Sequence, residues 1–130
     1  ADKCVPLDSE LIKEAIPLFT QIHHCGSVLA EVFFAMMISR ILYGSVPAPG
    51  TMVIFSILLA TCSIGTPGIP WGTVMVSLGT LTGILKFGDS GVALMFAVFA
   101  LNDAFAAACN ATCDGAAALF LTGYVKRHDL

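Results

Sequence analysis

The sequence predicts an all-α membrane protein, and three features carry that reading. Of its 130 residues 57% are hydrophobic and 12% charged, with a mean hydropathy of +0.88, whereas soluble domains carry about 25% charged residues. Residues 41–85 contain no Asp, Glu, Lys or Arg. Both carboxylates of the apolar stretch 91–124, Asp103 and Asp114, fall with Asn110 at spacings of seven and four. On a helix the three point within about 40° of one another. A carboxylate facing lipid costs roughly 2.5–3.5 kcal/mol, so this stripe must face a protein interior or an ion.

The elements follow from punctuation. The first apolar block, residues 10–43, is interrupted at His23-His24-Cys25-Gly26-Ser27. Each half is shorter than the roughly 20 residues a span requires, whereas the two together suffice, giving a broken transmembrane helix. After Val46-Pro47-Ala48-Pro49-Gly50 come two arms of about 13 residues, 51–64 and 73–85, too short to cross. Between them the tip Gly65-Thr66-Pro67-Gly68-Ile69-Pro70 cannot complete a helical hydrogen-bond ladder and needs partners other than lipid. Residues 51–85 therefore read as a re-entrant helical hairpin. The polar island 86–90 turns the chain at a membrane surface, and the last transmembrane helix covers 91–125, long enough to span with tilt. Its end, Lys126-Arg127-His128, is a basic cluster that places this terminus in the cytoplasm.

Smaller signals set further expectations. The acidic start, through Asp8, Glu10 and Glu14, lacks the layout of a signal peptide and reads as an interhelical connection in a chain that begins part-way along a longer protein. Five cysteines, an odd count mostly within apolar segments, read as reduced packing residues. With a net charge of -3 the chain has no basic field for nucleic acid. No nucleophile–base set and no phosphate-cradling glycine loop is present, so the chain is not read as an enzyme, and no organic cofactor is expected. Arg40 is expected to snorkel, His24 to pack or hydrogen-bond, and Tyr43 and Trp71 to anchor at the interface. A broken helix, a re-entrant hairpin and an inward carboxylate stripe match the plan of secondary transporters.

At this point the residues resemble the dicarboxylate/amino acid:cation symporters, the family that includes glutamate and aspartate transporters. Ser63-Ile64-Gly65-Thr66-Pro67-Gly68-Ile69-Pro70 resembles their second hairpin tip, of the Ser-Ile-Gly-Thr-Ala-Gly-Val-Pro type, and Asn110-Ala111-Thr112-Cys113-Asp114 resembles the Asn-Val-Thr-Gly-Asp of their last helix. The resemblance covers nearly the whole chain but only the C-terminal third or so of such a transporter. It implies an elevator-type transport domain in an integral protein of a bacterial inner membrane, surrounded by lipid. The scaffold, which makes such proteins homotrimers, and the first hairpin lie outside this stretch.

The resemblance also implies ligands. Asn110 and Asp114 would contribute to a sodium site with backbone carbonyls near His23. Backbone carbonyls of Ser63, Ile64 and Thr66, closed against the break near Gln21, would form a second. Asp103 would hold a substrate ammonium, Asn110 would line the same site, and the tip at Thr66, Gly68 and Ile69 would cover the substrate carboxylate with amides. Two departures stand out. Ala106 occupies the position where members carrying acidic substrates have an arginine, which implies a small neutral amino acid. His23-His24-Cys25-Gly26-Ser27 replaces the family's Asn-Met-Asp-Gly-Thr, putting imidazole and thiol where a hard cation wants oxygen. Glu31 falls where proton-cotransporting members carry a glutamate, so Glu31 and His23 form a candidate proton site beside sodium. Two alternatives remain: a symporter of dicarboxylates or acidic amino acids with its arginine supplied from the first hairpin, and a truncated, non-transporting fragment.

Overall fold

The computed structural model describes residues 9–64, 66 and 72–128. Five helices follow one another: α1 (Ser9–Ile22), α2 (Cys25–Tyr43), α3 (Pro49–Ile64), α4 (Gly72–Gly83) and α5 (Asp89–Arg127), with no strand among the described residues. α2 lies along α5 in the most extensive interface, α1 continues onto α5, and α3 and α4 pack together as the arms of a helical hairpin.

The break between α1 and α2 is local. His23 still donates its amide to the Phe19 carbonyl at 2.8 Å, but His24 leaves the helical region at φ -111° and ψ 38°, and the ladder resumes with Val28 donating to His24 at 2.9 Å. α3 starts at Pro49, whose missing N–H costs nothing at a first helical position. α2 ends at Gly44 with φ +73°, and Arg40 Nη1 donates to the Gly44 carbonyl at 2.6 Å. Arg40 thus caps its own helix rather than simply reaching for the interface. Tyr43 is likewise more than an anchor: its hydroxyl accepts the Gly88 amide at 2.9 Å and its ring tilts against Phe87, tying the end of α2 to the α4–α5 turn.

An apolar core joins the four later helices through Ala35, Ile38, Met52, Phe55, Leu59, Val74, Leu81, Met95 and Phe99. The spacing of Met52, Phe55 and Leu59 puts them on one face of α3, and Phe55 is wholly enclosed. Outside this core the polarity is inverted. Glu31, Ser63, Thr73, Ser77 and Asp114 are buried, while Leu101 is 82% and Phe105 72% exposed. A chain that hides carboxylates and displays leucine and phenylalanine is built for lipid or for further protein against its outer face. Two stretches, Glu10–Tyr43 and Asp89–Arg127, are long and apolar enough to cross a membrane, at mean hydropathies of 1.7 and 1.9.

Candidate ion and substrate site

The site grows from the helix break. A helix start leaves its first amides without intrahelical acceptors, and His24, at the N-cap of α2, provides no side-chain bond to them. Asn110 on α5 supplies the missing acceptor from across the interface: its Oδ1 accepts the Gly26 amide at 2.7 Å, while its Nδ2 donates to Ser27 Oγ at 3.0 Å. One carboxamide therefore caps α2 and fixes the first turn. One turn further along α5, His23 Nδ1 lies 2.9 Å from Asp114 Oδ1. The contact needs one hydrogen, which Nδ1 carries when the carboxylate is ionised. Asp114 is buried, and its charge lies at the positive end of the α2 dipole.

Gly26 makes this approach possible. A Cβ there would stand 2.6 Å from Cys109 Cβ and 2.7 Å from the Ala106 carbonyl oxygen, closer than carbon atoms tolerate. The thiols of Cys25 and Cys113 meet beside this contact, and none of the four described cysteines is in a disulfide. His24 packs rather than bonds through Nδ1, which is buried with no hydrogen-bond partner among the described residues. No group of three or more His, Cys, Asp and Glu suited to a metal occurs among the described residues.

The remaining stripe residues differ in state. Asp103, two turns before Asn110, is half-buried and makes no hydrogen bond or ion pair among the described residues. Ala106 is buried against Gly26. Glu31 is fully buried one turn beyond Ser27 on α2; the Ser77 hydroxyl of α4 lies in bonding contact with its Oε1 and with the Val74 carbonyl, and Oε2 has no partner among the described residues. Of the expected hairpin ligands, Ser63 and Thr66 are buried, and the Ser63 carbonyl already accepts the Thr66 amide at 3.0 Å. Ile64 and Gln21 are exposed, although α1 does touch α3. Gly68, Ile69 and Trp71 lie outside the described residues.

Sequence reasoning missed Ser27 and Ser77. The signal for Ser77 was partial: Thr73, Ser77 and Thr80, at spacings of four and three, align on one face of the arm. No comparable signal joined Ser77 to Glu31, 46 residues away.

The oxygen atoms gathered here suit a small hard cation: through its Oδ1 contact with His23 the buried Asp114 carboxylate sits just past the end of α1, where a helix leaves its last carbonyls without intrahelical donors. Lipid-facing apolar helices around an enclosed seam of carboxylate and amide, placed at a helix break, define an all-α membrane transporter. The chain belongs to the sodium:dicarboxylate symporter family, whose model matches residues 1–123. That family comprises sodium-coupled symporters of dicarboxylates and amino acids rather than enzymes, and the chain is accordingly an integral membrane protein. No curated protein and no solved structure matches it.

Proposed function

We propose that this chain supplies the ion- and substrate-binding half of a transport domain in a sodium-coupled symporter of small neutral amino acids. One observation carries the substrate class. Asp103 stands half-buried and unpaired on the stripe, while the nearby position 106 holds a buried alanine, and α5 has no Lys or Arg before Lys126. Such a surface offers an anion for a substrate ammonium and no cation for a second carboxylate.

In this reading Asp114 and Asn110 line the sodium site, with His23 holding Asp114 in place. Ser63, Ile64, Thr66 and the end of α1 near Gln21 serve a second sodium. The hairpin of α3 and α4 is the re-entrant gate, its tip at Gly68 and Ile69 closing over the substrate. Glu31 adds proton coupling, because the bond with Ser77 links it directly to that gate. The exposed faces around Leu29, Phe33, Leu101 and Phe105 would meet lipid, a scaffold and a first hairpin in a homotrimeric elevator of the bacterial inner membrane.

The test is counterflow in proteoliposomes of the complete transporter. Sodium-dependent uptake competed by serine or alanine, and not by aspartate or succinate, is the expected result. Competition by aspartate or succinate alone would transfer the assignment to the second reading, acidic substrates, which the family's description favours. Uptake by a longer parent but not by this chain alone would assign the chain as a non-transporting piece.

A further inference from the structure

At the end of the molecule away from the break, where α2 stops, α3 starts and α4 turns into α5, a pocket of about 320 Å³ opens between Ser39, Tyr43, Ser45, Thr51, Leu85 and Lys86. Ser39 is only 3% exposed, lines this pocket, and its hydroxyl makes no hydrogen bond among the described residues. Its hydroxyl is therefore free to bond whatever occupies the pocket. Lys86 is exposed, forms no ion pair among the described residues, and is held at φ +58°, a left-handed conformation unusual for a side-chain-bearing residue. Arg40, the other cation at this end, is turned to the Gly44 carbonyl.

The third contribution comes from α3, a helix of 16 residues. Met52 donates to the Ala48 carbonyl at 3.1 Å, so the amides of Gly50 and Thr51 precede the first helical bond. Ala48 has no side-chain oxygen with which to cap them. Their positive end borders the pocket through Thr51. Donors thus converge from three elements, with Arg40 and Lys86 outweighing Asp89 in charge.

We propose that this pocket binds a phosphate group, either the phosphodiester of an anionic lipid headgroup or free phosphate. Lys86 supplies the charge, the α3 amides take the near oxygens, and the Ser39, Ser45 and Thr51 hydroxyls donate to the rest. A planar carboxylate has two oxygens and would leave part of this donor set unused, whereas phosphate presents acceptors in several directions. The site lies where the apolar helices end, at the depth of lipid headgroups.

Native mass spectrometry of the protein from mixed micelles tests the lipid arm, comparing retained phosphatidylglycerol with phosphatidylcholine. Phosphorus NMR line-broadening of inorganic phosphate tests the other. Lys86→Gly suits a left-handed backbone, so it removes the charge while keeping the fold. Phosphatidylglycerol retention should fall about fivefold in Lys86→Gly and about twofold in Ser39→Ala, the scale of one charge-assisted and one neutral hydrogen bond. Lys13→Gln, at the other end, should match wild type. Unchanged lipid retention with phosphate broadening lost in Lys86→Gly would assign the site to free phosphate. Equal behaviour of wild type and Lys86→Gly in both measurements, with equal thermal unfolding, would overturn the proposal. Neither readout depends on transport, so the result stands apart from the substrate assignment.

Discussion

α5 is one continuous helix with two chemically different halves. From Gly91 to Phe99 the side it buries is apolar, with Met95 and Phe99 enclosed among residues of α2, α3 and α4. From Asp103 to Thr122 the buried side carries Asp114 and Thr122, with Asn110 reaching the break between α1 and α2. Outward-facing residues are apolar in both halves, Ala93 and Ala97 in the first and Phe105 and Phe120 in the second. α5 therefore places Asn110 and Asp114 where a neighbouring helix is interrupted and has amides to offer. Regular helix packs against the first half and broken helix against the second, and it is the second half that the proposed function assigns to ions and substrate.

Four substitutions would break or sharpen that contrast. The largest effect is expected from Phe99→Ala, which should lower stability by about 3–5 kcal/mol through the cavity it leaves. Thermal unfolding in mild detergent measures the loss, and the surviving folded fraction should bind sodium with wild-type affinity. Were affinity to fall in step with stability, the two halves would not be separable. Asp103→Ala should weaken amino acid binding by at least roughly 30-fold, since an uncompensated buried partner costs about 2–5 kcal/mol. Calorimetric titration would read this, with the melting temperature as control. Third, Gly26→Ala should destabilise the seam by about 1–3 kcal/mol, because its methyl collides with the Ala106 carbonyl and Cys109. Hydrogen exchange should then accelerate at the start of α2 and not in α3; uniform acceleration would mean that the seam is no separate unit. The smallest change is Asp114→Asn, which keeps an acceptor for His23 and removes only charge. Sodium dependence should weaken about tenfold, the equivalent of about 1.4 kcal/mol. An unchanged sodium dependence would remove Asp114 from the ion site.

Much of this arrangement could be read in the residues themselves. The stripe of Asp103, Asn110 and Asp114 follows from helical periodicity, and the interruption at residues 23–27 follows from a run that mixes Gly and Ser into an apolar block. What the sequence could not convey was pairing between distant elements. Backbone carbonyls near His23 were expected to share a sodium site with Asp114, and the contact of the His23 imidazole with that carboxylate was not foreseen. Asn110 was expected as an ion or substrate ligand, and in the structure both ends of its amide are engaged by the first turn of α2. That role depends on how closely α2 can approach α5, which no spacing along one helix reveals. Glu31 was singled out by resemblance alone, and its bond to Ser77 became visible only once α2 and α4 were packed together.

The length of α5 has a consequence of its own. The greased rod formed by residues 91–125 measures about 53 Å, against roughly 30 Å of oil in a bilayer. Lying upright, it leaves about 23 Å of slack. A rod cut this long crosses the bilayer either steeply inclined or upright with about two turns standing proud at each end, and in both postures Asp89 and Lys126 stay clear of hydrocarbon.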